Sequence, residues 1–206
     1  MKLAEYPKVT IILRNVPRRV VDAVVGTIDD DVLDVAVEVT RNSANFDDVA
    51  RYVRAHPGVR IGAGTVLTDD DARAAIDAGC RFVLSPVLLE ESTVGLCKAA
   101  GLLVVPGAYT PTEIRRAVEA GADIVKLFPI RDLSEHYVRD VKAPLGDVPI
   151  MGVGGVSVAG IPALFAQGVD YVGIGTGLLG KDLDAVSEEQ VRDALHGAVA
   201  AARAVG

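Results

Sequence analysis

Of the six lysines in this 206-residue chain, only Lys126 lies inside an apolar run, Ile124-Val125-Lys126-Leu127-Phe128, and of the glutamates only Glu38 does so, within Val35-Ala36-Val37-Glu38-Val39. Strand alternation puts Leu33, Val35, Val37 and Val39 on one face and Ala36, Glu38 and Thr40 on the other. It likewise sets Lys126 and Phe128 opposite Val125 and Leu127. Both charged side chains are therefore expected to point inward, where burying either alone would demand a partner or a shifted pKa. A lysine desolvated by apolar walls gives up its proton more readily, which frees the amine to attack a ketone. A nearby carboxylate can then carry protons to and from the carbinolamine and enamine. The same two residues would also satisfy a plain ion pair in the mouth of the fold, and their types alone leave both readings open.

The elements that must position them repeat along the chain. An amphipathic stretch ends at Gly and enters a β-branched run at Gly79-Cys80-Arg81-Phe82-Val83, Gly101-Leu102-Leu103-Val104, Gly121-Ala122-Asp123-Ile124-Val125 and Gly168-Val169-Asp170-Tyr171-Val172. Glycine suits the left-handed residue that closes a helix. Thr110-Pro111-Thr112-Glu113 combines a capping Thr, a first-turn Pro and a Glu at the third position, and Thr68 before Asp69, Asp70 and Asp71 does similar work. Eight candidate strands result, around residues 9–14, 33–39, 59–63, 82–85, 102–105, 123–128, 148–152 and 170–175. Eight strands alternating with helices predict an α/β fold, one closed (β/α)8 TIM barrel over residues 1–206, near the minimal size for that architecture. A doubly wound sheet would carry a glycine-rich turn after its first strand, where this chain has Arg14-Asn15-Val16-Pro17.

Active sites of such barrels lie at the C-terminal strand ends. Here those ends are polar or glycine-rich: Arg14-Asn15, Glu38-Val39-Thr40, Gly64-Thr65, Ser85-Pro86, Pro106-Gly107, Lys126-Leu127-Phe128-Pro129, Gly152-Val153-Gly154-Gly155 and Gly175-Thr176. Glycines after the seventh and eighth strands suit a phosphate held on backbone N–H groups, although turns also need glycine for backbone reasons alone. The Gly173 to Gly177 run closes the last strand without a following βαβ unit, so it is no dinucleotide fingerprint.

Composition narrows the partners. A net charge of -7 gives no basic footprint for nucleic acid, and no apolar run is long enough to cross a bilayer, so a small-molecule substrate and a cytoplasmic protein are expected. Cys80 and Cys97 form no metal or disulfide pattern and are expected as buried free thiols, while the scattered His56, His136 and His196 suggest no metal site.

These residues together resemble the class I 2-keto-3-deoxy-6-phosphogluconate (KDPG) and 4-hydroxy-2-oxoglutarate (KHG) aldolases along nearly the whole chain. Ile12-Leu13-Arg14 is similar to the family's first strand, Glu38-Val39-Thr40 to its glutamate strand and Gly62-Ala63-Gly64-Thr65-Val66-Leu67 to its most distinctive motif; Ser85-Pro86, Pro106-Gly107 with Thr110, Lys126-Leu127-Phe128-Pro129, Gly154-Gly155-Val156 and Gly175-Thr176 follow in order. The resemblance implies a homotrimeric barrel that reversibly cleaves a 2-keto-3-deoxy sugar acid, expected to be 6-phosphorylated, or 4-hydroxy-2-oxoglutarate, to pyruvate and an aldehyde without metal or organic cofactor. Lys126 would form the Schiff base and Glu38 would transfer protons, with Phe128 packed beside them. Thr65 with the Gly64 backbone would hold the carboxylate, Arg14 and Pro86 would line the site, and Gly154, Gly155, Gly175 and Thr176 would bind a terminal phosphate. Departures fall at Asn42, where gluconate-type members carry an arginine and which looks more like galactonate-type relatives, unless Arg41 supplies the guanidinium instead. Val153 replaces a frequent Thr, Val87 a frequent Gly, and Ile130-Arg131-Asp132 the small residues usual after the lysine motif. The rival readings are a phosphate-binding barrel of other chemistry, such as a sugar-phosphate isomerase or a thiamine-phosphate-synthase-like transferase, and a non-catalytic trimeric binding protein.

Overall fold

Each β-branched run that follows a helix-closing glycine becomes a parallel strand. The structure, a computed structural model, describes residues 1–180 and 182–204. The strands are β1 (Val9–Leu13), β2 (Val35–Thr40), β3 (Arg60–Gly64), β4 (Phe82–Leu84), β5 (Leu103–Val105), β6 (Gly107–Ala108), β7 (Val125–Leu127), β8 (Ile150–Val153) and β9 (Tyr171–Ile174). Helices α1 (Arg18–Asp30), α2 (Val49–Ala55), α3 (Asp69–Asp77), α4 (Glu91–Ala99), α5 (Pro111–Glu119), α6 (Tyr137–Leu145), α7 (Ile161–Ala166) and α8 (Glu188–Arg203) alternate with them. The sheet order is β5-β4-β3-β2-β1-β9-β8-β7-β6, every ladder parallel.

Among the described residues, nine segments stand where eight were expected, because the fifth barrel position is broken at Pro106. Proline has no N–H to give a ladder. Leu103 to Val105 pair with β4, and Gly107 and Ala108 pair with β7. The Pro106 carbonyl accepts the Lys126 N–H at 2.8 Å, which carries the wall across the break and makes the sheet a nearly closed barrel.

The inward and outward faces follow the alternation. Val35, Val37, Val39, Val125 and Leu127 pack outward into the sheet–helix layer. Ile12, Ala36, Phe82, Leu84, Leu103, Val105, Met151, Val153 and Tyr171 fill the interior, each buried aliphatic or aromatic side chain stabilising by roughly 1.5–3 kcal/mol. Tyr6, from the short turn before β1, plugs the N-terminal end. Its ring meets Phe82 and Tyr171 edge-on at 5.1 and 5.7 Å, and its hydroxyl shares a 2.8 Å hydrogen bond with Thr10.

The repeated Gly-x-Asp has a structural job. Gly79, Gly101, Gly121 and Gly168 all take positive φ, between 76° and 98°, to end their helices. Two residues on, the Asp123 carboxylate accepts Val104 N–H at 2.8 Å and Asp170 accepts Ile150 N–H at 2.8 Å, each tying its own strand to a neighbour. Thr110 with Glu113, and Thr68 with Asp71, form reciprocal capping boxes. Cys80 and Cys97 are buried and free, as expected.

Candidate active site

Glu38, in the middle of β2, and Lys126, in the middle of β7, both point into the barrel and are 1% and 3% exposed. The chain makes room for them with glycine. A Cβ on Gly64 would stand 1.4 Å from Glu38 Oε1, so the carboxylate occupies the space an alanine would need. Gly62 does the same for the Phe82 ring, at 2.4 Å. Lys126 Nζ lies 5.1 Å from the Phe128 ring centroid, and the Phe128 ring in turn abuts Gly154.

The plain ion pair is not what this geometry forms. Among the described residues, both Glu38 carboxylate oxygens are buried without a hydrogen-bond partner, Lys126 included. Burial pushes the Glu38 carboxyl above its ordinary range, opposed by the positive charges of Lys126 and then Arg14. Burial pushes the Lys126 ammonium below its ordinary value; the Glu38 charge opposes this and the Arg14 charge assists it. Burial thus opposes charge on both groups, which is the direction that eases addition of an amine to a ketone and proton transfer by a carboxyl group.

The other expected residues divide between two arcs of the same rim. On one, Arg14 after β1 reaches Thr65 after β3, Nη2 donating to Oγ1 at 3.4 Å. Thr65 has φ of 57°, a conformation that strains a β-branched residue by roughly 1–3 kcal/mol and that marks functional turns. Pro86 follows β4, and its backbone lies against Gly107, where a Cβ would meet it at 2.4 Å. On the other arc, Gly154 and Gly155 follow β8 with φ of 93° and 88°. Gly175 precedes a short 3-10 turn, Thr176–Leu179, that follows β9; the Thr176 side chain lies outside the described residues.

The Arg41 guanidinium stacks on Phe46 at 4.7 Å and its Nε lies 3.6 Å from Asp71, while Asn42 is exposed. Val153 faces the interior, against the space at Gly173. Thr40 was given no role by its sequence context, yet its fully buried hydroxyl has no partner among the described residues and shares the inward face of Glu38. The alternation that singled out Glu38 is the signal that could have found it.

Comparisons with known proteins give the family of the chain. The family model described as KDPG and KHG aldolase matches residues 6–193. The probable 2-dehydro-3-deoxy-6-phosphogalactonate aldolase of Rhizobium meliloti (strain 1021) is 34% identical over 177 residues, 84% of this chain and 82% of its own. The 2-dehydro-3-deoxy-6-phosphogalactonate aldolase of Escherichia coli (strain K12) is 34% identical over 190 residues, 91% and 89% of the two chains. A solved structure described as native KDPGal superposes with a TM-score of 0.85 at 29% identity, covering 96% of this chain and 95% of that one. With the match running from the Tyr6 plug into the last helix, this chain belongs to the KDPG and KHG aldolase family.

Proposed function

We propose that this aldolase works through a Schiff base on Lys126 and reversibly cleaves a 6-phosphorylated 2-keto-3-deoxy sugar acid, of galactonate type, to pyruvate and a phosphorylated aldehyde. The observation that carries the chemistry is the buried Lys126 amine facing a Glu38 carboxyl group with two unpartnered oxygens. The galactonate preference is supported by the two relatives that cover most of this chain and by Asn42.

The neutral amine adds to the C2 ketone, and the carbinolamine takes the Glu38 proton and loses water, leaving a protonated imine beside the Glu38 carboxylate. The C3–C4 bond then breaks, its electron pair moving into the imine, while the C4 hydroxyl proton passes to Glu38 and the aldehyde departs. Glu38 returns a proton to C3 of the enamine, and water releases pyruvate and the lysine. The imine is itself the electron sink, so this route calls on no metal or organic cofactor. With Arg41 engaged by Asp71, Arg14 and Thr65 with the Gly64 backbone take the substrate carboxylate, beside Pro86. Phe128 packs at the amine, and Gly154, Gly155, Gly175 and Thr176 take the phosphate. The same reading includes a single domain over residues 1–206 and a homotrimer acting in the cytoplasm.

Incubation with pyruvate and borohydride tests the mechanism. The intact mass of the wild-type protein should rise by one reduced pyruvate and that of Lys126→Ala should not. Absence of an adduct on the wild type would overturn the imine route.

A further inference from the structure

Arg131 stands where relatives were expected to carry a small residue, and its place in the fold is specific. Its stem lies flat on Gly155: a Cβ on that glycine would meet Arg131 Cβ at 2.6 Å and Cδ at 2.9 Å. Its N–H donates to the Gly154 carbonyl at 3.1 Å, which ties the loop after β7 to the loop after β8. The two glycines have consecutive positive φ, and among the described residues the N–H groups of Gly155 and Val156 reach no backbone acceptor. Unpaired N–H groups in a turn at the C-terminal end of a barrel strand offer donors to an anion. Among the described residues the guanidinium is not otherwise committed: its one ion-pair contact is the adjoining Asp132 at 3.7 Å, and both side chains are more than half exposed, at 62% and 56%. Such a pair is weak, and a phosphate dianion outcompetes it by bidentate, charge-assisted hydrogen bonding.

We infer that Arg131 is a substrate-binding residue of this chain, closing over the Gly154–Gly155 loop to hold the terminal phosphate of the sugar acid. The inference rests on the aldolase reading above and adds to it a cation that selects the phosphorylated substrate over its unphosphorylated counterpart. The backbone N–H groups supply direction, and Arg131 supplies net charge in a protein whose overall charge is -7.

Steady-state kinetics of wild type, Arg131→Ala and Arg131→Lys test it, using a 6-phosphorylated 2-keto-3-deoxy sugar acid and the same acid without phosphate. Arg131→Ala should raise KM for the phosphorylated substrate about tenfold at low ionic strength, with kcat nearly unchanged and the difference shrinking as salt is added. The unphosphorylated substrate should be cleaved equally well by both proteins, and Arg131→Lys should recover part of the loss. Adduct formation with pyruvate, which has no distal end, should match wild type and shows the variant to be folded. An equal rise in KM for both substrates, or no rise for either, overturns the role of Arg131 while leaving the aldolase intact. A wild-type protein that traps no pyruvate and cleaves neither substrate defeats the aldolase reading, and this inference with it.

Discussion

Burial acts on Glu38 and Lys126 in opposite senses, because it penalises whichever form is charged. Unfolded, Glu38 ionises in the ordinary carboxylate range; folded, it keeps its proton to higher pH. Between those two values the native state binds more protons, so this residue's contribution to stability is lost as pH rises through that window. Lys126 has the reverse slope, since its folded value is the lower one and stability rises with pH until the unfolded lysine also deprotonates. Glu38→Gln removes the first slope without changing shape. Its urea midpoint should pull ahead of wild type as pH climbs from the carboxylate range, and should not do so below it. Its kcat should fall by about 10²–10⁴-fold while pyruvate trapping persists, because on the proposed route the lost group moves protons in the transition state. Both residues were legible from alternation alone. The fate of Arg41 was not, because its partner Asp71 is capping a helix thirty positions away and only folding brings them together.

At the level of elements, glycine decides where bulk can go. Gly62 is inward-facing on β3, and the Phe82 ring of β4 lies across it. Gly62→Ala forces the ring out of its seat in the interior, and overpacking of this kind costs about 1–3 kcal/mol. The shift in urea midpoint reads it, and an unchanged midpoint would mean that the neighbouring wall yields. Helix starts and stops were readable because they are local: Thr110 with Glu113 and the four closing glycines need only their immediate neighbours. Strand limits were less so. The 123–128 run yields Val125–Leu127 as β7, with the Asp123 side chain spent on Val104, and the 33–39 run begins only at Val35 because Leu33 is still bonded back to the end of α1. The break at Pro106 depends on two ladders to partners distant in the chain, which no local pattern discloses.

Across the whole molecule, the barrel is a stack with chemistry at one end and a plug at the other. Residues 1–8 carry no strand or helix pattern, which is why the plug escaped the sequence; its effect comes from Tyr6 meeting side chains of β1, β4 and β9. Tyr6→Phe keeps the ring contacts but strands the buried Thr10 hydroxyl, and should lower stability by about 1–3 kcal/mol with little change in KM. Thermal unfolding and steady-state kinetics check the two halves of that statement. The seam at Pro106 bears on the same stack from the side. Every other junction around the wall is a ladder of hydrogen bonds that can unzip, and the β3–β4 ladder has a single paired position, Ala63 with Val83. Between β5 and β6 the junction is the polypeptide itself. Breathing of the ring must therefore begin elsewhere on its circumference, and the strand that carries Lys126 is laddered directly onto the one joint that cannot part.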